Sequence, residues 1–170
     1  MPMYIRIKSK KCKKGQLDYA YQVLAYRSTK GPRQKIICYL GRIFYPGRNN
    51  LHITEFLYGK NLEDYFKDKS LSETVNVLLE YELTRHGFKA DKGIFTKDSI
   101  IVDLSSNNVI HDGKNVVLGI NQGFMCSKTI QQIKKLIYSK SNIKNIIKSI
   151  ILVGIILDED LFTTIFRGKF

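Results

Sequence analysis

The chain has 170 residues, enough for one ordinary domain or two small ones and enough to bury roughly 70% of its unfolded surface. Hydrophobic residues make up 44% and charged residues 25%, which excludes a mostly disordered or low-complexity chain. The 28 Lys and Arg against 15 Asp and Glu leave a formal net charge of +13, an excess that points to an anionic partner such as nucleic acid or an anionic membrane surface.

That excess is concentrated at one end. The first 50 residues hold twelve basic residues and a single acid, Asp18, whereas residues 51–170 hold sixteen basic residues and fourteen acids. A compositional bias toward Lys would raise the charge along the whole chain, so the asymmetry argues for two functional parts. These are a basic β-rich module, residues 1–48, and a nearly neutral α+β domain, residues 51–170, meeting at the turn-forming stretch from Tyr45 to Asn50. Cys12, Cys38 and Cys126 form an odd, sparse set, unlike a disulfide framework, and suggest a reducing, cytoplasmic setting. The first residues lack the apolar run of a secretory signal. The most apolar stretch, residues 146–157, is interrupted by Lys148 and falls far short of the roughly 20 residues needed to cross a bilayer, so no membrane partner is expected.

In chain order, the first elements are three strands, at residues 4–8, 17–27 and 34–40, forming a small antiparallel meander. A turn carrying Lys10, Lys11, Lys13 and Lys14 and ending at Gly15 separates the first two, and residues 28–32 separate the second pair. Strand side chains alternate with period two, which puts Tyr19, Tyr21, Val23 and Ala25 on one face and Ala20, Gln22, Leu24 and Tyr26 on the other. In the third strand Ile36, Cys38 and Leu40 oppose Lys35, Ile37 and Tyr39. One face can be core, and the other can show tyrosines beside Lys and Arg.

Residues 51–67 form an apolar approach segment in which Asn61 can cap a short helix. Ser70 followed by Glu73 has the spacing of a capping box, and Leu71, Val75, Leu78, Leu79 and Leu83 form the stripe of a helix that ends before His86-Gly87. An imidazolium at His86 would meet the negative end of that helix, a structural role. Strands at 99–104, 109–111 and 116–120 make a second antiparallel meander. Ser127, then Ser141 or Asn142, then Asp158 are caps for three further helices. The isoleucine-rich helix, extended to include Ile155 and Ile156, is apolar on more than one face. It suits the centre of the second domain, with a homodimer interface as the alternative. The expected fold class is α+β: a basic N-terminal three-stranded antiparallel meander, then a mixed domain with a second meander and several helices.

No cofactor or metal signature is present. His52, His86 and His111 lie at no zinc spacing from a cysteine, and there is no Cys-x-x-Cys, phosphate loop, dinucleotide-binding turn or nucleophile elbow. Asp103, on the apolar strand Ile100-Ile101-Val102-Asp103-Leu104, is the one carboxylate placed as metal-dependent nucleases often place theirs, and it stands alone. Asp112 falls in a turn, and Asp158, Glu159 and Asp160 fall at a helix start.

The positive signal is the basic and aromatic constellation of the first 50 residues. Arg6, Lys8, Lys10, Lys11, Lys13, Lys14, Arg27, Arg33, Lys35 and Arg42 can neutralise phosphates, and Tyr21, Tyr26 and Tyr39 offer faces on which unpaired bases stack. These types predict a non-enzymatic nucleic-acid-binding protein. An RNA- or ribosome-associated structural protein and a minimal or degenerate nuclease using Asp103 are the alternatives.

The run Tyr4-Ile5-Arg6-Ile7-Lys8, then Tyr19 to Arg27, then Gly31-Pro32-Arg33-Gln34-Lys35 into Tyr39-Leu40-Gly41-Arg42 resembles the N-terminal segment of some DDE-type insertion-sequence transposases. In that family the segment precedes the catalytic domain and is associated with DNA binding. The resemblance, confined to residues 4–42, therefore implies a DNA-binding module. The residues that follow lack room for the family's RNase H-like catalytic domain, and Asp103 has no identifiable partner acids, so mobilisation activity is not implied.

Overall fold

The computed structural model describes residues 3–13 and 15–167. Three long strands, β1 (Met3–Cys12), β2 (Gly15–Ser28) and β3 (Gly31–Phe44), pair antiparallel in chain order. Cys12 pairs with Gly15, leaving only two residues in the first turn, and Ser28 pairs with Gly31 across the second. Both glycines have positive φ, +121° and +105°, a backbone that other residues rarely adopt. The expected four-lysine turn is thereby corrected. Lys10 and Lys11 continue β1, opposite Leu17 and Gln16, because the ladder closes right up to Cys12. Lys13 is in the turn, and Lys14 lies outside the described residues.

Strict alternation in the third strand is also corrected. β3 bulges twice against β2, so Tyr39 pairs with Tyr21 while Arg42 pairs with Tyr19, and Cys38 pairs with Gln22 while Ile36 pairs with Val23. Each bulge sets an extra β3 residue against β2 and re-aims those that follow. Ile36 and Cys38 therefore lie on opposite faces, and Tyr39 and Arg42 share one.

After residues 45–52 the chain forms α1 (Ile53–Phe56), capped by His52, α2 (Leu62–Lys67), capped by Asn61, and α3 (Leu71–Arg85). The Ser70–Glu73 capping box is formed as its spacing requires, Glu73 N–H donating to Ser70 Oγ and Ser70 N–H to the Glu73 carboxylate. His86 is the C-cap of α3 and is 2% exposed. Burial pushes its pKa below the ordinary value, against the pull of the Glu82 carbonyl oxygen 2.8 Å from its Nδ1.

Six short strands follow: β4 (Lys89–Asp91), β5 (Ile94–Lys97), β6 (Ile100–Asp103), β7 (Asn108–His111), β8 (Lys114–Ile120) and β9 (Gly123–Met125). The expected second meander is β6–β7–β8. The β4–β5 hairpin and β9 were not expected, being short and without clear alternation. The last elements are α4 (Ser127–Tyr138), α5 (Ile143–Leu152) and α6 (Glu159–Phe166). Asn142 and Asp158 cap α5 and α6 as expected, but the N-cap of α4 is Cys126. Ser127 is instead drawn to β7, its hydroxyl accepting from Val109 N–H at 3.1 Å. α5 is also shorter than the isoleucine run. Gly154, at φ +94°, turns the chain, and Ile155 and Ile156 lie beyond the helix.

The strands join in the order β1-β2-β3-β8-β7-β6-β5-β4, with β9 alongside β8. The fold is α+β with a mixed sheet, since Arg42–Phe44 pair parallel with Val116–Leu118 and the other pairings among the described residues are antiparallel. The main core gathers α3, α4, α5 and α6 against Val102, Val109, Val116 and Leu118. A smaller one sets Ala20, Leu40 and Ile43 against Val117 and Cys126. No helix of the described residues is long and apolar enough to cross a membrane.

Candidate nucleic-acid interface

The β1–β2 ladder is regular, so its two faces can be assigned residue by residue. Arg6 pairs with Tyr21, Lys8 with Tyr19 and Lys10 with Leu17, which places three cations at successive same-face positions along β1 beside a row of tyrosines. Tyr39 joins this row from β3. Its ring centroid lies 5.3 Å from that of Tyr21 and 6.3 Å from that of Tyr19, both tilted contacts. Lys8 Nζ sits 4.9 Å over the Tyr21 ring, and Arg6 Nη1 donates to Gln34 Oε1 at 2.9 Å. Together Lys8, Ser9, Lys10, Tyr19, Tyr21 and Tyr39 line an open cleft of about 480 Å³.

Exposure separates the three rings. Tyr39 is 55% exposed, while Tyr19 and Tyr21 are half-buried beneath it. Partial burial, then the neighbouring phenols of Tyr19 and Tyr21, push the Tyr39 pKa above its ordinary value, so the phenol keeps its proton. Arg42, opposite Tyr19, continues the basic side of the face and stacks its guanidinium 4.7 Å over the Phe44 ring. Arg27, two residues from Ala25 along β2, lies on this side near the far hairpin.

The other expected residues fall elsewhere. Lys11, opposite Gln16, and Tyr26, opposite Arg33, are on the reverse face, as is Lys35 opposite Leu24. Tyr26 is 38% exposed and is not part of the tyrosine cluster. Near the first hairpin that reverse face also carries the single acid of the first 50 residues. Asp18 accepts from Ser9 Oγ at 2.6 Å, Gln16 Nε2 at 3.1 Å and Tyr45 Oη at 2.8 Å, and these hydrogen bonds hold its pKa below the ordinary carboxylate value. Tyr45, by contrast, is pushed up to about 12 by burial and by that hydrogen bond.

Tyr19 was not among the expected contact residues; Ser9 lines the cleft, but its hydroxyl is bound to Asp18 on the reverse face. Period two already put Tyr19 beside Tyr21, but nothing in the spacing signals that β3 brings Tyr39 to both.

Asp103 has a local task. Its carboxylate accepts from the backbone N–H and hydroxyl of Ser105 at 2.9 and 2.6 Å, and from those of Ser106 at 3.2 and 2.7 Å, closing the β6–β7 turn. These bonds hold its pKa far below the ordinary value. Among the described residues no three His, Cys, Asp or Glu side chains converge as a metal site. No protein-family model, no curated protein and no solved structure matches the chain.

Proposed function

We propose that this protein binds nucleic acid, without acting on it chemically, through the β1–β3 face that carries Arg6, Lys8, Lys10, Tyr19, Tyr21, Tyr39 and Arg42. The observation that supports this reading is the segregation of charge. Arg6, Lys8, Lys10, Arg27 and Arg42 share one face with the Tyr19–Tyr21–Tyr39 row and no acid of the first 50 residues, whereas the reverse face mixes Lys11, Arg33 and Lys35 with the hydrogen-bonded Asp18. Lysines on an edge strand also discourage pairing with foreign sheets, and β1 is such a strand. That role alone requires no tyrosine row. The resemblance in residues 4–42 makes DNA the favoured polymer.

The test is fluorescence anisotropy with labelled oligonucleotides. Replacing Arg6, Lys8 and Lys10 together by Ser removes three phosphate contacts without touching a core residue. Affinity should fall by at least tenfold at low salt and by a similar factor for unrelated sequences, because phosphate contacts carry no base information. Unaltered affinity would remove this face from the model.

A further inference from the structure

We infer that the ligand of this face is single-stranded nucleic acid, its phosphates on the β1 cations and an unpaired base on the ring of Tyr39. The inference rests on the nucleic-acid reading above and adds the state of the strand. Arg6, Lys8 and Lys10 repeat every second residue along β1, a step of about 6.8 Å, comparable to the advance of successive phosphates along an extended strand. The tyrosines form a second row immediately beside this rail, and the cleft lined by Lys8, Ser9, Lys10, Tyr19, Tyr21 and Tyr39 lies between.

The rings are not equivalent platforms. Lys8 covers the Tyr21 ring, and Tyr19 and Tyr21 both pack against Tyr39. Tyr39 is the ring left most open, and its neighbours hold it in place so that little side-chain freedom is lost on stacking. Ile36, on the same face and 46% exposed, extends the apolar surface. A duplex could use the cation rail, but its base faces are stacked on one another inside the helix and cannot reach a tyrosine ring. A single strand uses both rows. Deoxyribose and ribose strands share this chemistry.

The experiment compares, for the full chain, four labelled probes of equal length: oligothymidylate, oligouridylate, an abasic single strand with the same phosphates, and a duplex. At least one of the two base-bearing strands should bind roughly 5- to 150-fold tighter than the abasic strand, the range expected for one stacked base, and tighter than the duplex. Tyr39→Ala should bring that strand down to the affinity of the abasic probe while leaving the abasic affinity unchanged, and Tyr39→Phe should keep the preference, since the ring and not the hydroxyl is used. Equal affinity for abasic and both base-bearing strands, or tighter binding of the duplex, overturns the single-strand inference while leaving the nucleic-acid reading intact. Failure of all four probes to bind overturns that reading itself.

Discussion

Glu82 shows how a single residue ties distant segments together. It is fully buried, and its carboxylate accepts from Asn121 Nδ2 at 3.1 Å and from Ile156 N–H at 3.3 Å, with Arg85 Nη1 at 3.7 Å. One side chain of α3 thus joins the β8–β9 turn to the segment beyond α5. Burial raises its pKa despite these donors. Asp103 is the opposite case, an exposed-rim carboxylate whose turn hydrogen bonds favour the charged form. A carboxyl whose folded pKa is depressed contributes stability that is present above its ordinary value, 3.8 here, and lost as pH falls through the folded value. Urea unfolding above and below pH 3.8 should therefore show a loss on acidification that is smaller in Asp103→Asn. Asp18, shifted the same way, accounts for part of the remainder. The variant should bind oligonucleotides as the parent does, and a changed affinity would place Asp103 in the interface after all.

At the scale of elements, the decisive join is that of β3 to β8. Arg42, Ile43 and Phe44 run parallel to Val116, Val117 and Leu118, so the N-terminal strands are hydrogen-bonded into the same sheet as the second meander. Gly41 permits the approach. Its φ is +133°, and a Cβ there would lie 2.4 Å from the Asn115 carbonyl oxygen and 2.8 Å from Val116 Cα, backbone atoms that cannot swing aside. Gly41→Ala should therefore destabilise the protein by roughly 1–3 kcal/mol or more, seen as a lower urea midpoint. An unchanged midpoint would show that the two strands do not approach this closely.

At the scale of the molecule, the fold places a positive face on the β1–β3 end of the sheet, apart from the main core that α3–α6 gather. The main core lies under α3–α6, while Ile7, Ile36, Ile37 and Tyr39 near the β1–β3 end are 42–55% exposed. Binding at such a face should be steeply salt-dependent. With about five phosphates neutralised, log affinity against log salt should have a slope of about −3.5 on a single strand and about −4.5 on a duplex. Replacing Arg6, Lys8 and Lys10 should flatten the single-strand slope by about 2. A slope near zero in the parent protein would mean that the positive face does not meet phosphates.

The sequence by itself determined what depends on neighbours along the chain. The capping box at Ser70 and Glu73, the caps at Asn61, Asn142 and Asp158, and the shared face of Tyr19 and Tyr21 follow from local hydrogen bonds and from period two. The α+β class followed from the same signals. Only the tertiary structure decided how the strands meet. The β3 bulges set Tyr39 against Tyr21, because an extra residue in one strand shifts every later pairing and carries no signature in residue spacing, whereas the placing of Tyr26 on the other face already follows from alternation within β2. Long-range partners likewise decided that Ser127 serves β7 instead of capping α4. Local patterning orients a side chain within its element, whereas register and packing decide which orientations converge on one surface.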